Sequence, residues 1–250
     1  MAYHVDGNNE GISRTTSRPS ITSFTMMMWM YMTSLPSTAG HSFGLLMHGE
    51  TSTSNLDWYI CGVDSSTDQF EGYVDGSSTL GSSVSANQWY HVAMTVAGTG
   101  ASQFLLYLDG MLDITKNGDV DVASQVMRFG ASTLGGSPSD SMKGYFAACK
   151  AWSAVLTADE ILKEMRHIQP QRTSNLFCWI PCMDADTAAG TDYSGNGNDF
   201  TINGTLLTAS GPPAVWGAGH PTVISYTPAA ATFQPAWAAG SNVLIGGLVP

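Results

Sequence analysis

Basic side chains are scarce in this chain of 250 residues: 9 Lys and Arg stand against 20 Asp and Glu, a formal charge of −11. That balance repels the phosphates of nucleic acid and of anionic lipid, which excludes both as partners held by charge. Charged residues of either sign make up only 12% of the chain and hydrophobic ones 43%, so a sizeable core can form and the surface must be hydrated through Ser, Thr, Asn and Gly. Long apolar runs are missing as well. The run from Phe24 to Met32 falls far short of the roughly 20 residues a helix needs to span a bilayer, and no membrane partner is expected. The start, Ala2-Tyr3-His4-Val5-Asp6, lacks the basic residues and apolar stretch of a secretory leader.

Cysteine is sparse too. Cys61, Cys149, Cys178 and Cys182 show neither a zinc-ribbon nor a redox spacing. Cys178 and Cys182 fall in a segment that reads as a strand, where an offset of four residues separates them by roughly 13 Å, beyond disulfide reach unless the chain bends at Pro181. The expectation is buried free thiols in a protein made in a reducing cytoplasm.

What the chain has in abundance is alternation. Phe24, Met26, Met28, Met30 and Met32 fall on one face of an extended segment and Met27, Trp29 and Tyr31 on the other. Both faces are apolar, which predicts a central strand covered on both sides. Trp89 to Val96, a Gly/Ser/Thr loop and Phe104 to Leu108 predict a hairpin, and Asp109-Gly110 supplies a tight turn into Met111 to Ile114. Further strands are predicted near 43–48, 57–63, 69–75, 125–131, 144–152, 176–183 and 199–207. A single helix is expected: Thr157-Ala158-Asp159-Glu160 is a capping box flanked by Leu156 and Ile161, running to Arg166 or His167 before Pro170.

Several segments, in order, resemble the laminin G-like branch of the concanavalin A-like lectin/glucanase superfamily. They are Val5-Asp6-Gly7-Asn8-Asn9-Glu10, Phe24 to Met32, Trp89-Tyr90-His91-Val92-Ala93, Leu106-Tyr107-Leu108-Asp109-Gly110, the strand leading to Trp152 with the helix at 156–161, and Asp192-Tyr193-Ser194-Gly195-Asn196-Gly197-Asn198-Asp199. The resemblance covers roughly residues 2–210. It agrees with the many short strands and turn-rich connections in implying an all-β, antiparallel jelly-roll sandwich with one short helix and an extended C-terminal arm. Where the family often carries an acidic pair before the Trp of the late strand, this chain has Ala147-Ala148.

Hydrolysis of a glycosidic bond needs two carboxyl groups facing one cleft. The nearest candidate, Asp119-Val120-Asp121, follows Asn117-Gly118 in a turn-like setting and reads as a solvated loop, so no enzyme activity is expected. His91 reads as a structural histidine with its hydrogen bonds satisfied. Asp184, Asp186, Asp192, Asn196, Asn198 and Asp199 offer oxygen ligands for calcium, but not at EF-hand spacing; tight turns through Asn-Gly steps are the simpler expectation, and no cofactor or metal is assigned.

From residue 211 to the end there is no Lys, Arg, Asp or Glu, and Pro, Ala and Gly recur. The chain therefore divides into a sandwich over 1–210 and an apolar arm over 211–250, with Trp216, Tyr226, Phe233, Trp237, Leu244 and Ile245 as candidate anchors on a partner. Three readings follow. A carbohydrate-binding module would stack Trp58, Tyr59 or Tyr73 on sugar faces. An extracellular adhesion domain is the second. The third, preferred on sequence, is a virion component, a capsid decoration, tail or fibre protein docking by its arm to other virion subunits or to itself. The stretches Tyr226-Thr227-Pro228 and Phe233-Gln234-Pro235-Ala236-Trp237 resemble the tails of some phage structural proteins.

Overall fold

The computed structural model describes residues 1–6, 10–16, 18–20, 22–49, 58–74, 76–98, 102–118, 126–131, 141–183 and 190–213. Two antiparallel sheets face each other across one core. The eight-stranded sheet runs β10 (Met111–Gly118), β9 (Ser102–Leu108), β8 (Trp89–Ala97), β3 (Ser23–Met32), β12 (Lys143–Trp152), β1 (Ala2–Asp6) and β15 (Leu207–Ala209), with β13 (Leu176–Ile180) on the second half of β12. The seven-stranded sheet runs β14 (Thr201–Asn203), β2 (Gly11–Arg14), β11 (Val126–Phe129), β4 (Phe43–Gly49), β5 (Trp58–Val63), β6 (Gln69–Val74) and β7 (Ser77–Ser83).

The Met-rich strand β3 lies between β8 and β12, as its two apolar faces require. Phe24, Met26, Met28, Met30 and Met32 are fully buried between the sheets with Val92, Met94, Val96, Phe104 and Leu106. The β9–β10 turn uses Asp109 at φ 50° and Gly110 at φ 78°, the left-handed pair a two-residue hairpin needs. Asp109 also accepts a hydrogen bond from the backbone N–H of His91 at 2.8 Å, locking the turn to β8.

Four differences from the sequence reading have physical causes. The segment expected as one strand over 199–207 is two, β14 and β15, which turn at Gly204 and pair with different sheets. β7 carries Ser-Ser-Thr-Leu-Gly-Ser-Ser, with no apolar alternation to announce it; it forms because its backbone pairs with β6. A short second helix, α1 (Pro36–Ala39), begins at a proline and ends at Gly40 in the left-handed region. His91 is buried as expected, but its Nδ1 has no hydrogen-bond partner.

The outer face of the eight-stranded sheet is covered by α2 (Ala158–Met165) and its flanking loops. Thr25 Oγ1 donates to the carbonyl of Ala154 and accepts from the N–H of Leu156; Trp29 Nε1 donates to the carbonyl of Met165 and Trp152 Nε1 to that of Arg172. Lys150 makes the strongest of these links. Its ammonium, 1% exposed, donates to the carbonyl of Glu164 at 3.0 Å, to Glu164 Oε2 at 2.8 Å and to the carbonyl of His167 at 2.7 Å, which uses all three protons. The other carboxylate oxygen of Glu164 accepts from the N–H groups of Gln171 and Arg172.

A bulge aims this lysine. Ala147 pairs with Trp29 and Lys150 with Met27, so Ala148 and Cys149 together oppose Met28, and Ala148 takes φ 51°. In an unbroken strand Lys150 would share a face with Ala148 and point into the core; the extra residue returns it to the helix side.

Three predictions follow from this packing. Thr157→Ala removes the hydroxyl that accepts from the N–H of Glu160 at 3.3 Å and lowers stability by about 1 kcal/mol, read from the urea midpoint at constant slope. Lys150→Met strands the Glu164 carboxylate in the interior and costs roughly 3–5 kcal/mol in the same measurement. Burial, aided by nearby Lys150, pulls His91 from its usual 6.5 down to about 3. Between those values the unfolded chain binds a proton that the fold refuses, so stability is full above pH 6.5 and falls as pH drops. From pH 7 to pH 5 the wild type loses about 2 kcal/mol that His91→Gln keeps, measured as the difference between the two proteins' changes in unfolding free energy.

Candidate functional site

Of the aromatic residues suggested for sugar stacking, the structure separates two. Tyr59 is 1% exposed, its ring packed against Phe24 and Phe104 in the core, so it is not available to a ligand. Tyr73 projects from the opposite, outer face of the seven-stranded sheet. The parity is set by Gly72, where a Cβ would lie 2.9 Å from Leu106 of the facing sheet: residue 72 points inward, and Glu71 and Tyr73 point outward. Trp58 opens β5, and its side chain lies outside the described residues, as do the proposed anchors Trp216, Tyr226, Phe233, Trp237, Leu244 and Ile245 and the carboxylates Asp119, Asp121, Asp184 and Asp186.

Following the register outward from Tyr73 gives one continuous row. Ser78 pairs with Tyr73, Tyr73 with Ile60, Ile60 with Met47, Met47 with Arg128, Arg128 with Ser13, and Ser13 with Thr201. Directly paired residues share a face, so the row crosses all seven strands, a width of roughly 28 Å at the usual strand spacing. Its centre is apolar: Met47 and Val126 are buried and contact half-buried Ile60 and Tyr73, in a cluster separate from the main core. Its flanks are polar. Asn203 donates to Ser13 Oγ at 3.0 Å beside half-buried Arg128 on one side; Glu71 and Ser78 lie beside Tyr73 on the other.

Burial perturbs both Arg128 and Glu71 on this face. Burial draws Arg128 down from the usual arginine range. Burial, reinforced by Asp64, raises the Glu71 carboxyl, while a hydrogen bond from Ser78 opposes the rise. Asp64 itself is engaged in a turn, its Oδ1 accepting from the N–H groups of Ser66 and Thr67 and from the Thr67 hydroxyl.

Two other places were candidates. In the loop at 190–199 the Asp192 carboxylate accepts from the N–H groups of Trp179, Ser194 and Asn198 and from the Ser194 hydroxyl. Asp199 accepts from the N–H of Asp192, and the side chains of Asn196 and Asn198 donate to carbonyls of β13. Their donors and acceptors build the turn, with Gly195 and Gly197 in the left-handed region. Among the described residues no cluster of three or more His, Cys, Asp or Glu side chains is placed to hold a metal ion. A cleft of about 370 Å³ beside α2 is lined by Glu160, Lys163, Glu164, Gln171 and Arg172, but Glu160 is bound by Arg172 and Glu164 by Lys150.

Apart from Tyr73, the outer row was missed in the sequence because its members are spread over seven strands and become neighbours only through pairing. Alternation in Gln69 to Val74 was the one available signal.

No curated protein matches the chain in sequence. Among solved structures, a candidate carbohydrate-binding protein of Bacteroides ovatus superposes with a TM-score of 0.61 at 16% identity, over 85% of this chain and 61% of its own length, so this chain spans less than two thirds of it. A heptameric SAP-like pentraxin of Limulus polyphemus gives 0.51 at 14% identity over 81% and 95% of the two chains. The Trypanosoma rangeli sialidase gives 0.51 at 17% identity over 66% of this chain and 27% of that one. At these identities the likeness is one of fold. Residues 6–162 match the family model described as the concanavalin A-like lectin/glucanases superfamily, and with both sheets in place the chain belongs to that superfamily.

Proposed function

We propose that this protein is a non-catalytic carbohydrate-binding module whose ligand lies along the outer face of the seven-stranded sheet. The observation that carries the proposal is the set of exposed and partly exposed residues in the row, Ser13, Arg128, Ile60, Tyr73 and Ser78, in which the aromatic and aliphatic side chains of Tyr73 and Ile60 rest on buried Met47 and are flanked by hydroxyl, amide, guanidinium and carboxyl groups. A sugar ring presents the complementary surface, with C–H groups on its faces for an aromatic or aliphatic platform and hydroxyls around its rim for hydrogen bonds. The lectin-like superfamily and the likeness to the Bacteroides ovatus protein support the same class of ligand. A net charge of −11 disfavours strongly acidic polysaccharides and favours neutral glycans.

The virion reading has less behind it. It drew on the apolar arm, of which residues 214–250 lie outside the described residues, and no structural observation favours it over glycan binding. An extracellular location fits a glycan ligand, and no helix among the described residues is long and apolar enough to cross a membrane.

Screening the full chain against an array of neutral oligosaccharides should identify a ligand, and titration calorimetry then measures it. Tyr73→Ala and Arg128→Ala should each weaken binding by roughly tenfold or more, equivalent to about 1.4 kcal/mol, with the thermal midpoint little changed and the glycan recovered uncleaved. Binding that survives both substitutions would move the site elsewhere, and release of shortened glycan would show catalysis.

A further inference from the structure

All four cysteines are fully buried in the core between the sheets, and three of them, Cys149, Cys178 and Cys182, lie on or just beyond the β12–β13 ladder. Cys149 pairs in register with Ile180, and Cys178 with Ala151, two residues along the same ladder. Cys182 follows Ile180 by two residues. The chain turns there: after Pro181, Cys182 adopts φ 60°, a left-handed conformation that a non-glycine residue takes only at a cost. The bend that would have been needed to join Cys178 to Cys182 therefore exists, but it brings Cys182 to a different partner. The Sγ atoms of Cys149 and Cys182 are 3.8 Å apart, in contact.

We propose that Cys149 and Cys182 form a structural disulfide when the chain folds in an oxidising compartment. The sulfur atoms need to close by less than 2 Å to reach the bonded distance of about 2.05 Å, a movement within reach of side-chain rotation. The bond ties the bulged middle of β12 to the turn that ends β13, across 33 positions of sequence that include all of α2.

The oxidant is a disulfide of the glutathione class. One cysteine loses its proton and attacks a sulfur of the oxidant, forming a mixed disulfide and releasing one small thiol. The second cysteine, deprotonated in turn, attacks the protein sulfur of that intermediate and releases the other. The protein gives up two protons and two electrons, and the oxidant becomes two thiols.

Timing follows from burial. Desolvation pushes the thiols of Cys149 and Cys178 well above the usual range, so thiolate is scarce once the sandwich has closed, and neither Cys149 nor Cys182 is open to solvent. The bond is made during folding and thereafter staples the native state. Cys178, beside Cys149 on the same ladder, is the competitor that the experiment must separate.

The test uses the full-length chain, reduced and unfolded, then refolded in mixed oxidised and reduced glutathione and digested without reductant for mass spectrometry. A parallel sample is folded in reductant first and then given the same mixture. Oxidative refolding should remove two hydrogens from the intact mass, yield a linked peptide pair containing Cys149 and Cys182, and raise the thermal midpoint by about 5–10 °C over the reduced protein. Cys178→Ala should give the same link and Cys182→Ala none, while the pre-folded sample keeps four thiols over the same period. Four free thiols after oxidative refolding, or a bond from Cys178 to either partner, would overturn the assignment. Rapid linkage in the pre-folded sample would overturn its restriction to folding.

Discussion

The rest of the structure depends on how one buried charge is accommodated. Lys150 lies where the eight-stranded sheet meets α2, and an ammonium removed from water is tolerable only when each of its protons finds an acceptor. Two of those acceptors are backbone carbonyls at the end of the helix and just beyond it, the third is the Glu164 carboxylate, and that carboxylate in turn receives the N–H groups of Gln171 and Arg172. The helix must therefore end where it does, and the following loop must turn back beneath it. Burial still draws the lysine down to about 8, outweighing the attraction of Glu164, so the pair contributes positional definition at an electrostatic cost. The β12 bulge is the backbone counterpart of this arrangement, because only a change of parity lets the strand supply Cys149 to the core and Lys150 to the helix.

Much of this fold was legible in the sequence, for reasons that individual elements make plain. β3 announced itself because both of its faces are apolar, and the β9–β10 hairpin because Asp109-Gly110 is suited to little else. The helix start was legible because a capping box is a local device: Thr157 and Glu160 satisfy each other's backbone N–H groups within one turn. The bulge at Ala148 was not, since alanine gives no sign of a left-handed conformation imposed by the tertiary structure. Nor was Lys150, whose partners are up to 17 residues away and meet it only through a helix packed on a sheet.

The candidate site was less legible than the fold. Tyr59 and Tyr73 look alike in sequence, aromatic residues in strands of similar composition, and only the parity of each strand against the facing sheet distinguishes the core residue from the surface one. Ser13, Arg128 and Tyr73 are 115 and 55 residues apart along the chain in that comparison with Arg128, yet they lie in one row because antiparallel pairing places them there. A binding face of this kind has no linear motif.

The two lateral openings of the sandwich are closed by different means. On one side, side chains bridge the edges: Asp113 of β10 accepts from the N–H and hydroxyl of Ser82, and Lys116 donates to Ser77 and Thr79 of β7. On the other, the backbone itself crosses, β1 and β15 pairing in one sheet while β2 and β14 pair in the other, with the Glu10 carboxylate holding both crossings through the N–H groups of Asp6 and Thr205. The two ends of the domain are thereby woven into a single cooperative unit. Opening the segment between Asn203 and Leu207 frees an edge of each sheet at once, so amide protons on β1 and β2 become exchangeable through the same event, and both newly bared edges are templates for pairing with another chain.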